Sequence, residues 1–259
     1  MALNNSNIEY IEHVELKNLR TNSYTRTEAL RTLRTNIQFC GDDVKTILIT
    51  STVPDEGKST VTFDLARSLT ETGKSVLIID TDIRKSVLIG RLRVMASKRQ
   101  EINGLSHYLS GQKTLSDILY VTQIPKLYMI FAGPSVPNPT EMLEKNYFKY
   151  LLDLAKEQFD YVLIDCAPLG AAIDAAVIAK RCDAAILVVA QNMANSRAIV
   201  ASKKQLEASG VRILGAVLNK VKMEKSHYGK YYGKYYGKYY GSYYGKYYGR
   251  EDEKRKKGK

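Results

Sequence analysis

The chain has 259 residues, of which 44% are apolar, so it can bury the core of one large α/β domain or two small ones. Its formal net charge is +12, and residues 225–259 contribute +8 of that through eleven basic and three acidic side chains, so any attraction for anionic partners resides in the C-terminal tail. Cys40, Cys166 and Cys182 lack C-x-x-C spacing and the three histidines lie far apart, which excludes a Cys/His metal centre and makes the cysteines packing residues.

The first predicted element is a helix over TRTEALRTLRTNIQF, opened by a capping box of Thr25 with Glu28. Apolar runs of strand length follow at 46–50, 76–80, 127–131, 161–165, 184–190 and 213–219, and stretches of helical period separate them. This alternation predicts an α/β fold, a doubly wound and mostly parallel sheet with helices on both faces. Ligands of such folds bind at the carboxyl ends of the strands.

The pattern changes at about Lys222, where glycine begins to recur every fourth residue between paired tyrosines. Without aliphatic side chains this segment cannot build a core, so we predict that it is disordered. The predicted organisation is an N-terminal extension at 1–22, an α/β domain at 23–221 that begins with the helix at 23–40, and a Tyr/Gly/Lys-rich tail at 222–259.

A phosphate-binding loop is predicted in ILITSTVPDEGKSTVTFDLA, where a strand, a tight loop ending in Gly-Lys-Ser-Thr and a helix follow in that order. Backbone amides and the helix N-terminus would face the phosphates, Lys58 would reach the β- and γ-oxygens, and the Ser59 hydroxyl would bind Mg²⁺. Thr52 replaces the first glycine of the usual pattern. The candidate nucleotide contacts are Val53, Pro54, Asp55, Glu56, Gly57, Lys58, Ser59 and Thr60.

Carboxylates end two further predicted strands. VLIIDTDIR places Asp80 and Asp82 at one strand end, and YVLIDCAP places Asp165 at another. Together with Ser59, these carboxylates could organise Mg²⁺, while either Asp80 or Asp82 accepts a proton from an attacking hydroxyl. Arg84 could stabilise the phosphoryl group in transfer, or could simply balance the acidic pair.

The order of these three sites indicates a P-loop NTPase of the deviant Walker type. The MinD and ParA kind of ATPase carries a second lysine in this loop, which would fall at position 53, where this chain has Val53. The sequence instead resembles the bacterial tyrosine kinases encoded with capsular and exopolysaccharide biosynthesis genes. The P-x-E-G-K-S-T loop, D-x-D-x-R, GLSHYL (104–109), AGPSVPNPTEML (132–143) and the tyrosine-rich terminus carry the resemblance, whereas Asp55 and Ala167 replace the usual glycine and proline.

The resemblance implies a protein-tyrosine kinase that uses ATP and Mg²⁺ and phosphorylates its own tail, in trans within a ring of identical subunits. The implied phosphoacceptors are Tyr228, Tyr231, Tyr232, Tyr235, Tyr236, Tyr239, Tyr240, Tyr243, Tyr244, Tyr247 and Tyr248. The family motif E-x-x-R-x-x-R, used in self-assembly, corresponds to Glu28, Arg31 and Arg34, which fall within a 120° arc of one helix face. A solvated charged face with Glu28 as the cap is the alternative. Asn219, at the end of the last strand, would meet the adenine or simply begin a loop.

The resemblance also implies partners. No apolar run approaches the ~20 residues that span a bilayer, so a membrane-embedded co-polymerase-type protein would activate the enzyme and recruit it from the cytoplasm to the inner face of the membrane. Sugar-nucleotide or polysaccharide enzymes would be further substrates. One rival hypothesis makes the tail a module that stacks on single-stranded nucleic acid, and another makes the protein an ATPase switch with a low-complexity tail that binds nucleic acid or membrane.

Overall fold

The computed structural model describes residues 11–96 and 101–221. The predicted disordered tail at 222–259, with its eleven tyrosines, lies outside the described residues. Residues up to Lys220 belong to one compact unit. Within the part of the chain that is described, no helix is long and apolar enough to cross a membrane.

Nine strands and eight helices are described. The strands are β1 (Glu12–Leu16), β2 (Thr46–Ser51), β3 (Val76–Asp80), β4 (Val94–Ala96), β5 (Leu119–Thr122), β6 (Leu127–Ile130), β7 (Tyr161–Asp165), β8 (Ala184–Ala190) and β9 (Arg212–Asn219). The helices are α1 (Tyr24–Gln38), α2 (Lys58–Thr70), α3 (Leu88–Leu92), α4 (Leu105–Leu109), α5 (Pro139–Glu144), α6 (Asn146–Gln158), α7 (Asp174–Ala179) and α8 (Ser196–Ala208). All six strands predicted from the sequence are present within a residue or two of their expected bounds.

The strands form one sheet in the order β4-β1-β5-β6-β3-β7-β2-β8-β9. From β6 to β9 every neighbouring pair is parallel. Side chains of the central strands alternate between two hydrophobic clusters: Ile47 and Ile49 pack with α1, α2 and α3, whereas Leu48 packs with α4 to α8. Because strand residues alternate between faces, the helices cover both sides of the sheet. The predicted doubly wound architecture is confirmed.

Three strands, β1, β4 and β5, were not predicted. β5 is antiparallel to β6, and β1 lies between β4 and β5, so the segment assigned to the N-terminal extension contributes a strand to the sheet. These strands are only three to five residues long, and the outer pair is half exposed. Their pairing depends on contacts far apart in the chain: the Gln123 side chain bonds both the amide and the carbonyl of Leu16, at 3.0 and 2.8 Å.

The predicted capping box of α1 is wrong. The helix begins at Tyr24, and its N-cap is Ser23, whose hydroxyl accepts a hydrogen bond from the Arg26 amide at 3.3 Å. Thr25 therefore lies within the first turn, and the Glu28 carboxylate is bound to the Arg31 guanidinium at 2.6 Å. The N-cap needs an extended backbone, which Ser23 adopts with φ −65° and ψ 158°.

The cysteines are all free thiols, as expected of packing residues. Cys166 is fully buried in the cluster on the α4–α8 face, and Cys182 packs against the same cluster. Cys40 packs against the cluster on the other face.

Candidate active site

The predicted functional residues converge on the carboxyl ends of three adjacent strands. In the sheet β7 lies between β3 and β2, so Asp80, Asp165 and the loop after Ser51 emerge side by side. Asp80 lies directly opposite Asp165 in the register of β3 and β7. The strand order therefore brings together the loop and the carboxylates that the sequence assigned to one Mg²⁺–nucleotide site.

The loop from Thr52 to Gly57 connects β2 to the N-terminus of α2. Gly57 has φ +91°, and a Cβ added there would lie 2.3 Å from the Asn219 amide nitrogen. That amide donates a hydrogen bond to the Glu56 carbonyl at 2.8 Å, so the end of β9 braces the loop. No side chain caps the α2 N-terminus. Its amides can therefore bind an anion, as the N-terminus of a helix favours.

Glu56 is fully buried, and its carboxylate is used inside the loop. One oxygen accepts hydrogen bonds from the amides of Thr52 at 2.7 Å and Val53 at 2.9 Å, and the other accepts from Ala190 at the end of β8 at 3.0 Å. The sequence predicted Glu56 as a nucleotide contact. Its side chain joins the start of the loop to the end of β8 and so holds the loop closed, and a contact between Glu56 and the nucleotide stays a prediction.

Asp55 has φ +62°, which explains why glycine is expected at this position. Aspartate tolerates the left-handed region better than most residues because its short polar side chain can bond locally. The Lys220 ammonium donates to the Asp55 carbonyl at 2.5 Å. Pro54 and Asp55 are exposed and Val53 is half exposed, so this tip of the loop borders solvent.

Lys58 lies among the carboxylates. Its ammonium nitrogen is 3.4 Å from an oxygen of Asp82 and 3.8 Å from an oxygen of Asp165, and all three side chains are nearly buried. Burial alone would lower the pKa of Lys58, but the attraction of Asp165 and Asp82 outweighs it and holds the pKa above its ordinary value. Lys58 therefore carries its positive charge at neutral pH, as phosphate binding requires.

Asp80 is also buried. Burial, reinforced by repulsion from Asp165, raises the pKa of Asp80 to about 7, although hydrogen bonds from the Ser86 hydroxyl and the Asp82 amide oppose the shift. Burial likewise raises the pKa of Asp165, against the attraction of Lys58 and a hydrogen bond from Ser59. Packing carboxylates this closely stores electrostatic repulsion that a cation would relieve.

The side chains of Ser59, Asp80, Asp82 and Asp165 are suited to bind Mg²⁺. One oxygen of Asp165 is buried without a hydrogen-bond partner among the described residues, which leaves a lone pair for a metal ion or its water. The remaining donors, Asp80, Asp82 and the Ser59 hydroxyl, are all hard oxygen ligands. Residues 11–96 and 101–221 contain no preformed cage of three or more His, Cys, Asp or Glu side chains. Mg²⁺ in nucleotide sites does not need one, because it is held by one or two carboxylates together with phosphate oxygens and water.

Arg84 binds a carboxylate outside the Asp80/Asp82 pair. Its guanidinium forms a two-pronged ion pair with the buried Asp174 at 2.6 and 3.1 Å and also donates to the Thr140 hydroxyl at 3.0 Å. The AGPSVPNPTEML segment binds the same loop, since the Ser135 hydroxyl donates to the Arg84 carbonyl at 3.2 Å. Arg84 thus anchors the loop after β3 to α5 and α7.

The GLSHYL segment packs against the start of the AGPSVPNPTEML segment. The amide of Leu105 in GLSHYL donates to the Phe131 carbonyl at 2.7 Å, and a Cβ added to Gly104 would lie 2.2 Å from the Gly133 nitrogen. This close approach of two backbone segments requires glycine at position 104.

Two arginines beside the site were missed from the sequence. Arg91 on α3 donates to the Thr60 hydroxyl at 2.5 Å, and its positive charge opposes the rise that burial causes in the pKa of Asp165. Arg26 on α1 forms an ion pair with Asp64 on α2, with nitrogen–oxygen distances of 2.5 and 2.8 Å. No motif surrounds either arginine, so only the packing of α1 and α3 against α2 identifies them.

The helix motif Glu28, Arg31 and Arg34 is divided between two environments. Glu28 and Arg31 form an exposed ion pair. Arg34 donates to the carbonyl and the hydroxyl of Ser68 on α2, at 2.6 and 3.1 Å. Arg34 therefore helps to hold α1 against α2 within the subunit.

The chain is similar to a known protein family and to bacterial tyrosine-protein kinases. Residues 44–226 match the family described as an AAA domain. The chain is 41% identical over 204 residues to the tyrosine-protein kinase CpsD of Streptococcus pneumoniae, covering 79% of this chain and 88% of that protein. It is 32% identical over 208 residues to the tyrosine-protein kinase YwqD of Bacillus subtilis strain 168, covering 79% and 86%. The solved kinase domain of the Escherichia coli tyrosine kinase ETK superposes with a TM-score of 0.72 at 29% identity, covering 81% of this chain and 85% of that one.

Proposed function

The chain belongs to the bacterial tyrosine-protein kinases, as the sequence motifs suggested, and from this premise we propose that it transfers phosphate from ATP to the tyrosines of its own tail, in trans within an oligomer. The acceptors are the eleven tyrosines between Tyr228 and Tyr248. The observation that carries the proposal is the position of Lys58. It lies between Asp82 and Asp165 at the start of α2, where a phosphate-binding loop meets a set of carboxylates.

In the proposed reaction ATP is the co-substrate. The phenolic oxygen of a tyrosine forms a bond to the γ-phosphorus, the bond between that phosphorus and the bridging oxygen of ADP breaks, and the phenolic proton passes to Asp80 or Asp82. Lys58 and the amides at the α2 N-terminus bind the phosphate oxygens and stabilise the charge that spreads over them. Bound Mg²⁺ supplies further neutralisation of this charge, and Ser59, Asp165 and the second aspartate of the pair would hold it.

The tail sequence suits a substrate of this site. Lysines lie in three of the four gaps between the tyrosine pairs, so the unmodified tail is attracted to an acidic, phosphate-occupied site. Each phosphate adds about −1.5 to −2 charges, so about five phosphates would cancel the +8 of residues 225–259. Phosphorylation would then release the tail and favour disassembly of the oligomer.

The family membership suggests the biological setting. We propose that Glu28, Arg31 and Arg34 contribute to a ring of identical subunits, and that Asn219 borders the adenine of ATP. A membrane-embedded co-polymerase-type partner would activate the kinase at the inner face of the cell membrane. The enzyme would thereby regulate the synthesis and export of capsular or exopolysaccharide, with polysaccharide or sugar-nucleotide enzymes as further substrates.

The direct test compares the wild-type protein with Lys58→Met after incubation with Mg·ATP, followed by mass mapping of residues 226–250. We expect several phosphates on the wild-type tail and none on the variant, whose circular dichroism spectrum should match that of the wild type. Absence of Lys58-dependent phosphate on the tail, even with a membrane activator supplied, would refute the proposal. Hydrolysis of ATP without phosphotyrosine would favour an ATPase switch instead.

A further inference from the structure

A second concave site lies beside the proposed transfer site. A cavity of about 260 Å³ is enclosed by the segment before α1, the first turn of α1, the first turns of α2, and α3. Ser59 and Thr60 form one of its walls, whereas Lys58, Asp80, Asp82 and Asp165 do not line it. The cavity therefore adjoins the predicted nucleotide site at Ser59 and Thr60 but does not include Lys58 or the three aspartates.

The cavity is positively charged on one side. Arg20, Arg26 and Arg91 line it, together with the single acidic side chain of Asp64, which leaves two positive charges in excess. Arg20 is exposed at the mouth, and Arg91 is held by the Thr60 hydroxyl. Arginine forks bind phosphate through paired hydrogen bonds, and clusters of arginine are the usual means of recognising phosphorylated peptides.

The opposite side of the cavity is apolar. Phe63 of α2 and Leu88 and Leu92 of α3 line it, and each is at most 5% exposed. A free phosphate ion would gain nothing from these side chains, whereas an aromatic ring would bury its apolar surface against them. Sites for drug-sized ligands enclose about 300–1,000 Å³, so this smaller cavity suits a single large side chain.

We propose that this cavity is a phosphotyrosine site that primes the next phosphoryl transfer. A phosphorylated tyrosine places its phosphate between Arg20, Arg26 and Arg91 and its ring against Phe63, Leu88 and Leu92. The charge matches, because a phosphotyrosine carries about −1.5 to −2 at neutral pH. The inference rests on the proposed kinase function and adds to it a preferred substrate, a tail segment that already carries one phosphate.

The sequence of the tail makes such priming useful. Five Tyr-Tyr pairs follow one another at intervals of four residues, so every tyrosine in these pairs has another tyrosine close by that can act as the next acceptor. Because Ser59 borders both the cavity and the Mg²⁺ position, a phosphotyrosine held in the cavity keeps a neighbouring tyrosine near the transfer site. Priming raises the effective concentration of that acceptor.

The test measures transfer to two synthetic peptides spanning residues 230–240, one unmodified and one phosphorylated at Tyr235. The enzyme is the full chain with the eleven tail tyrosines changed to phenylalanine, so that its own tail does not compete. We expect the phosphorylated peptide to have a KM about tenfold lower, equivalent to about 1.4 kcal/mol. In Arg20→Ala and Arg91→Gln the ratio of the two KM values should fall towards one. Arg197→Ala, an exposed arginine on α8 outside the cavity, is the matched control and should keep the wild-type ratio.

The outcomes separate the two proposals. No transfer to either peptide, even with a membrane activator supplied, would refute the kinase function. Equal KM values in the wild type, or an unchanged ratio in both arginine variants, would refute the priming site alone. Arg20→Ala keeps the test decisive if Arg91→Gln does not fold, since Arg20 is at the surface. Competition by phosphotyrosine but not by phosphoserine or inorganic phosphate is expected, because only phosphotyrosine has a ring for the apolar wall. Equal competition by all three would also overturn the assignment.

Discussion

Replacing Glu56 with alanine should destabilise the whole domain and weaken nucleotide binding together. The Glu56 carboxylate is fully buried and accepts hydrogen bonds from three backbone amides, those of Thr52, Val53 and Ala190. A hydrogen bond to a charged group contributes about 1.5–3 kcal/mol, and a buried donor left without a partner costs about 1–3 kcal/mol. Because the loop can relax and hydrate part of the freed amides, we expect a total loss of about 3–5 kcal/mol in the free energy of unfolding for Glu56→Ala.

Glu56→Gln should lose about half as much, since its remaining carbonyl oxygen still accepts amide hydrogen bonds while its NH₂ group cannot. For a domain of this size each kcal/mol corresponds to about 2–4 °C in Tm, so Glu56→Ala should melt about 10 °C below the wild type.

Urea unfolding followed by circular dichroism gives the stability, and titration with a fluorescent ATP analogue gives the affinity. Glu71→Ala is the matched control, because Glu71 is exposed at the end of α2, and it should change stability by no more than about 0.5 kcal/mol. If Glu56→Ala unfolds at the same urea concentration as Glu71→Ala, the carboxylate does not hold the loop. If it is destabilised but binds the analogue with full affinity, the loop conformation does not depend on it.

Asp80, Asp55 and the two α1 arginines Arg31 and Arg34 each allow a further test. Because the pKa of Asp80 is raised from 3.8 to about 7 on folding, its ionised form costs stability that grows as the pH rises between those values. Metal-free Asp80→Asn should therefore melt above the wild type at about pH 8, and this difference should vanish by about pH 4; a constant difference would contradict the assigned shift. Asp55→Gly removes a negative charge from the exposed tip of the loop and should tighten Mg·ATP binding about twofold to threefold at low salt, with a smaller gain at high salt. If calorimetry gives the same affinity for the variant and the wild type, Asp55 has no electrostatic effect on nucleotide binding. Arg34→Ala should lower Tm because it breaks the contact with Ser68. Arg31→Ala should leave Tm unchanged but weaken the oligomer, as measured by analytical ultracentrifugation. Equal effects of the two changes on Tm would show that Arg34 contributes no more to the stability of the subunit than Arg31 does.

Glu56 and Arg84 show where sequence reasoning stops. Both lie in motifs that were recognised. Glu56 was expected at the nucleotide, and Arg84 either at the transferred phosphoryl group or as a counter-charge to Asp80 and Asp82. In the structure the carboxylate of Glu56 faces the loop amides, and the guanidinium of Arg84 binds Asp174, ninety residues away in the chain. A motif fixes which residues are near the chemistry, but the direction of a side chain depends on partners that only folding brings together. Arg91 had no motif at all, and its contact with Thr60 arises from the packing of α3 on α2.

Local sequence patterns were enough to predict the parallel core of the sheet, the phosphate-binding loop and the carboxylates of Asp80, Asp82 and Asp165. These features are encoded locally, because continuous apolar runs specify buried strands and Gly-Lys-Ser-Thr after such a strand specifies the loop. Folding of the whole domain produces the short strands β1, β4 and β5 and the contact between Arg84 and Asp174. It also produces the cavity beside Ser59, whose walls come from three separate segments of the chain. Each of these depends on residues far apart in sequence, and no local pattern records such contacts.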